Sequence, residues 1–214
     1  MYFEQFTTRN LRGTPGAVKL RGSSSRAGGF PFSLNRLFSE VVRPGYAGLA
    51  DSYPNEWEST LRQLDGKDWR TVKIEDFDSQ GGILEGIQVL GLKGFMFFLP
   101  GLVRIALTQP EPRYMVAYAL MTRFTQREAL PQFTSTAERT LAALSLSEAQ
   151  QRIAALAPAQ REFLARVLTS IQESEPDLYS LLVDSAISNL RLGEIVPYRD
   201  KDLMQWLSKQ PGQK

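Results

Sequence analysis

The sequence predicts an all-α protein: an irregular single-domain helical bundle around a central apolar helix kinked at Pro100. Three observations lead there. The run from Leu92 to Leu107 is the most apolar in the chain. Apolar residues recur at helical spacing in most segments on either side of it. Glycine, proline and serine signals start and stop those segments, leaving short connections between them. Short strands near the N-terminus are the alternative.

The chain has 214 residues, enough for one domain with a sizeable core, and its hydrophobic fraction of 43% is that of a folded globular protein. Residues 1–29 carry Arg9, Arg12, Lys19, Arg21 and Arg26 among Gly, Ser and Thr, which reads as a flexible basic arm. Such an arm can bind nucleic acid or an acidic partner. Scattered bases with no aromatic platform beside them favour a solvated terminus instead, so nucleic acid is not the expected partner. A helical domain is expected over residues 30–209, with residues 210–214 frayed.

Each element has its own signal. Ser33 is placed to cap a short helix that turns Leu34, Leu37, Phe38 and Val41 inward, and Pro44-Gly45 ends it. Tyr46 and Leu49 then pack the following loop on the body. From Tyr53 to Gly66, Trp57, Leu61 and Leu64 form a helical stripe, and Gly66 suits the left-handed position just past a helix end. Phe77 anchors an acidic stretch that Gly81-Gly82 breaks. Ile83, Leu84, Ile87 and Leu90 form the next stripe.

The central run places Phe95, Phe98, Leu99, Leu102, Val103 and Ala106 on one face, with Phe97, Ile105 and Leu107 off it. It therefore predicts a helix covered on more than one side. Pro100 removes one N–H and crowds the carbonyl four residues back, which predicts a kink or a join of two short helices. A membrane span needs about 20 apolar residues. Lys93 and Arg104 bracket a core far shorter than that, so no membrane is expected.

Residues 113–124 fit a helix with Met115, Tyr118, Ala119 and Thr122 on one side, or a short strand. Residues 126–132 read as a loop. Ser135-x-x-Glu138 and Ser147-x-x-Gln150 both match capping boxes, predicting one helix with Leu141 and Leu144 inward and a second with Ile153 and Leu156 inward. Pro158 suits the first position of a helix carrying Phe163, Leu164, Val167, Leu168 and Ile171. A further helix runs through Leu181, Leu182 and Ile187 to Leu190 and is closed by Gly193. Leu203, Trp206 and Leu207 mark a short terminal helix over 200–208.

Composition narrows function more than any motif does. The chain has no cysteine and no histidine. That removes disulfides, thiolate nucleophiles and thiolate zinc sites, together with the commonest general base and transition-metal ligand. The glycines match no phosphate-binding loop. No catalytic residue, cofactor or metal is expected, and the protein is not expected to be an enzyme. The first residues, Met1 to Phe6, lack a basic start and a long apolar run, so a cytoplasmic location is expected.

Charge is uneven. Residues 1–50 hold seven bases and two acids, whereas residues 51–80 hold four bases and eight acids. Asp65, Asp68, Glu75, Asp76 and Asp78 concentrate the negative charge. Such a cluster suits a divalent cation, an acidic docking face, or solvated loop charge. The spacing of a calcium loop is not met.

Three motifs carry a family resemblance. They are Phe95-x-x-Phe98-Leu99-Pro100-x-Leu102 followed by Ala106-Leu107 and Pro110; Gly66-Lys67-Asp68-Trp69 upstream; and Leu156-Ala157-Pro158-Ala159-Gln160-Arg161 leading to Val167-Leu168 downstream. In order and spacing they resemble a bacterial family of small helical proteins of uncharacterised activity with an F-x-x-F-L-P-x-L core. The likeness covers roughly residues 50–190. Some members are similar to toxin–immunity proteins, so the resemblance implies a cytoplasmic protein that binds and neutralises a cognate protein toxin. It implies no catalytic residues. The expected partner-binding residues are Trp57, Asp65, Asp68, Trp69, Asp76 and Asp78, with the two tryptophans as core residues in the competing reading. The alternative function is a carboxylate-based enzyme or a small-ligand-binding helical domain, with Glu75, Asp76 and Tyr118 the nearest candidates.

Overall fold

The computed structural model describes residues 30–50, 58–79, 82–127, 135–174 and 180–199. The expected basic arm, the start of the Tyr53–Gly66 segment with Trp57, most of the expected loop over 126–132, and the expected terminal helix and frayed end lie outside these residues. Within them the chain is an all-α single-domain bundle. Its helices are α1 (Phe30–Leu37), α2 (Glu58–Leu64), α3 (Ile83–Gln88), α4 (Leu92–Thr108), α5 (Pro110–Arg123), α6 (Thr136–Ala154), α7 (Pro158–Ser174) and α8 (Ser180–Leu192). Two short 3-10 turns, Tyr46–Gly48 and Ile74–Phe77, lie in the connections. A single bridge between Arg127 and Tyr198 is the only β pairing among the described residues.

Helix α4 is the centre of the bundle and packs against α1, α5, α6 and α7. Phe95, Phe97, Phe98, Leu99, Leu102, Val103, Ile105 and Ala106 are all buried, so the helix is covered on both sides of its stripe. Pro100 lies inside one uninterrupted helix, not at a join of two. An interior proline costs about 3 kcal/mol. Burying a single large apolar side chain returns about 1.5–3 kcal/mol, and α4 buries seven of them around the proline.

Main-chain atoms cover part of this helix pair. At Gly86 a side-chain carbon would overlap the carbonyl oxygen of Phe77, and at Gly94 it would overlap that of Leu49. At Gly101 it would stand 2.6 Å from the Trp69 carbonyl oxygen and 2.7 Å from a Val72 methyl. The connecting segments thus lie directly on α3 and α4. Gly91 adds a hydrogen bond, its N–H donating to the Leu49 carbonyl over 3.0 Å.

Polar side chains close the helix ends. The guanidinium of Arg123 is buried and donates to the carbonyls of Ile87 (2.9 Å), Gln88 and Leu90 (3.0 Å) at the end of α3. It also lies over the Phe95 ring, 5.2 Å from the centroid. Arg113 donates to the Ala106 carbonyl over 3.0 Å at the end of α4. Arg104 donates to the Val72 carbonyl, and burial pushes its guanidinium pKa down. Ahead of α7, the Gln160 carboxamide oxygen accepts the Ala157 N–H and its nitrogen donates to the Leu37 carbonyl, both at 2.8 Å. Pro158 opens α7, and Gly66 and Gly193 take positive φ values of 82° and 81° just past α2 and α8, as expected.

Four local expectations are corrected. Ser33 lies within α1, which begins three residues earlier at Phe30, so it is not the cap. Ser147 lies inside α6, a single helix of 19 residues, so its capping-box pattern starts nothing. Leu141 and Leu144 on that helix point outward, 65% and 56% exposed. On α5 the buried set is Val116, Ala117, Ala119, Leu120, Met121 and Arg123, whereas Met115 is exposed. Helix α5 contacts α3, α4, α7 and α8, and burial on several sides erases the single stripe the sequence was read for.

Candidate acidic interaction surface

The segment from α2 to the second 3-10 turn is built on apolar anchors. Leu61, Leu64, Trp69, Val72, Ile74 and Phe77 are buried, and Phe77 meets Phe98 edge-on at 5.7 Å. Charged residues fill the positions between them and so are held at the surface by the residues that flank them. Buried Thr60 closes the unit by donating its hydroxyl to the Asp78 carbonyl over 3.3 Å.

The carboxylates divide into two groups. Asp68 and Asp76 are engaged locally. One Asp68 oxygen accepts the Arg70 N–H at 2.7 Å, fixing the turn, while Arg70 pairs with the carboxylate at 3.4 Å. Asp76 accepts the Lys73 N–H at 2.8 Å, which satisfies an orphan donor at the start of the 3-10 turn. Its other oxygen pairs with Lys67 at 3.1 Å and ties the two turns together. Asp65, Glu75 and Asp78 are exposed and form no ion pair among the described residues.

Trp69 is 1% exposed and belongs to the core, with the Arg70 guanidinium stacked over its ring at 4.4 Å. It is therefore not available as a contact residue, and the competing core reading holds for it. Trp57 lies outside the described residues. Of the enzyme candidates, Glu75 is exposed on the 3-10 turn and Tyr118 is half-buried on α5. Among the described residues no three carboxylates converge as metal ligands.

Sequence reasoning counted the bases of this stretch but not their pairing with the acids. Over residues 58–79 six acids face four bases, and Lys67, Arg70 and Arg62 each neutralise a neighbour. The Arg62–Glu58 pair was readable from its spacing of four on a helix. The Lys67–Asp76 pair was not, because it depends on two turns meeting in space. The surface is thus a mixed one, with three carboxylates that form no ion pair among the described residues. No helix among the described residues is long and apolar enough to cross a membrane. The chain matches no protein-family model, no curated protein and no solved structure.

Proposed function

We propose that this protein is a non-enzymatic, cytoplasmic partner-binding protein of the immunity type, which neutralises a cognate bacterial toxin by covering its active surface. The observation that carries the reading is the exposed trio Asp65, Glu75 and Asp78. Among the described residues these charges form no ion pair, and they stand on turns held by buried Leu64, Trp69 and Phe77. A pre-ordered acidic surface steers a basic partner and loses little entropy on binding. Asp68 and Asp76 act as positioning residues that hold the turns. The three-motif resemblance and the absence of cysteine and histidine point the same way.

The test uses the intact chain as bait in native extract, beside the Asp65→Lys/Glu75→Lys/Asp78→Lys variant. The expected result is one stoichiometric basic partner, released by salt and absent from the variant, with toxicity of that partner suppressed by the wild-type chain only. The variant should unfold at the same denaturant midpoint as wild type, within about 0.5 kcal/mol per substitution. Undiminished protection by the variant, or no partner for the wild-type chain, overturns the reading.

A further inference from the structure

The segment 193–199, which follows α8, is a strap pinned from three sides. On α6, the Gln150 carboxamide oxygen accepts the Ile195 N–H at 2.8 Å and its nitrogen donates to the Gly193 carbonyl at 3.5 Å. On α8, the Asn189 carboxamide oxygen accepts the Val196 N–H at 3.0 Å. Asn189 is buried, and its nitrogen donates to the Phe124 carbonyl at 3.0 Å just past α5. The Tyr198 N–H donates to the Gln126 carbonyl at 2.9 Å.

Helix α6 leans on this strap. Of its described side chains only Ala149, Arg152 and Ile153 are buried, all near its C-terminal end. Helix α7, by contrast, buries six apolar residues along its length. Among the described residues the hydrogen bonds from α6 to other elements run from Gln150 to the strap and from the Ser145 hydroxyl to the Gln126 side chain at 2.8 Å. At about 100° per residue, Ser145 and Gln150 lie on opposite flanks of the Leu146–Ala149–Ile153 stripe that faces the body. The helix is therefore gripped at one edge by the strap and at the other by Gln126, the residue that holds the strap's far end.

The strap and α6 also leave the α7–α8 pair at one place. The α6–α7 corner is at Leu156, and the α8–strap corner is at Gly193, with φ 81°. The Arg161 guanidinium joins the two. It donates to the Leu156 carbonyl at 3.4 Å and stands 2.9 Å from where a Gly193 Cβ would be. Two adjacent corners make one hinge line.

We propose that α6 and the strap form a lid over α4, hinged at Leu156 and Gly193, which opens as one unit while the rest of the bundle stays folded. Gln150 holds the two parts of the lid together. Asn189, fixed to the Phe124 carbonyl, is the catch. Opening uncovers the side of α4 against which α6 packs. The population of the open form is then set by the catch and not by the main core.

The test is hydrogen exchange of the unmodified full chain across a range of urea below unfolding. Amides 149–154 and those of Ile195, Val196 and Tyr198 are expected to exchange through one shared opening. It should occur at least about tenfold more often than the opening that exposes α4, with a smaller urea dependence because less surface is exposed. Exchange of 149–154 through the α4 opening overturns the proposal, as does a strap that opens separately from α6. Val196→Pro tests the catch. It deletes one N–H from Asn189 at a position whose side chain is exposed and whose backbone Pro197 already confines to extended conformations. Exchange at 149–154 should rise about tenfold while α2 is unchanged. Unchanged exchange at 149–154, with faster exchange at Ile195 and Tyr198, overturns the role of the strap.

Discussion

Gly86 and Phe77 meet main chain to main chain: a methyl group on Gly86 would occupy the space of the Phe77 carbonyl oxygen. That carbonyl belongs to the turn carrying Glu75 and Asp78, so the position of the acidic surface on the bundle depends on a residue with no side chain. Gly86→Ala is expected to lower stability by about 3 kcal/mol, because the obstacle is backbone and cannot rotate away. Gly45→Ala is the matched control. It has nothing within 4 Å and a φ of −66°, so it should be neutral or gain up to about 1 kcal/mol. Urea unfolding of the two variants separates the cases, with m expected to be unchanged.

Arg123 acts as a buried cap for another helix. Its Nη2 serves three carbonyls near the end of α3, and replacement by Met would remove that donor from all three, with Ile87 alone keeping a backbone N–H from Leu90 among the bonds described. The expected cost is about 2–4 kcal/mol by chemical denaturation. Arg123→Lys keeps the charge but not the planar fork, and should recover only part of the loss. Equal stability of wild type and Arg123→Met would show that the carbonyls find other donors.

Glu162 gives a pH signature. The Arg166 side-chain hydrogen bond, then the nearby Arg166 and Arg191 charges, hold its carboxyl below the usual glutamate range. A depressed folded pKa means that the contribution is present above the unfolded value and is lost as pH falls through the folded one. The stability difference between wild type and Glu162→Gln should therefore be constant near neutrality and shrink in acid, beginning near the ordinary glutamate pKa. Denaturant midpoints measured across that range check it. A difference that grows on acidification contradicts the assignment.

The parts of the fold that were legible share one property: their signals are local. The α4 and α7 stripes, the glycines at 66 and 193 and the proline at 158 depend on neighbours within a turn or two. The capping-box pattern at Ser147 misled because serine and glutamine occur inside helices as well as at their starts, and nothing nearby stops α6. Leu141 and Leu144 misled for a related reason: an apolar pair at helical spacing defines a face without saying whether anything covers it. At the acidic surface the charges were visible, but their pairing was not. Asp76 meets Lys67 only because two turns fold onto each other, and Trp69 is core in a segment whose main chain lies against Gly101 of α4.

The three helix glycines also divide the protein into a part that is free to diverge and a part that is not. Gly86, Gly94 and Gly101 fix the course of the segments around residues 49, 69–72 and 77 through contacts mainly with main-chain atoms, which every amino acid supplies. The outward residues of the acidic segment contribute little to that registration. A lineage can exchange Asp65, Glu75 or Asp78 for other side chains while the scaffold beneath keeps its shape. Under the function proposed above, the contact surface can then change without a new fold.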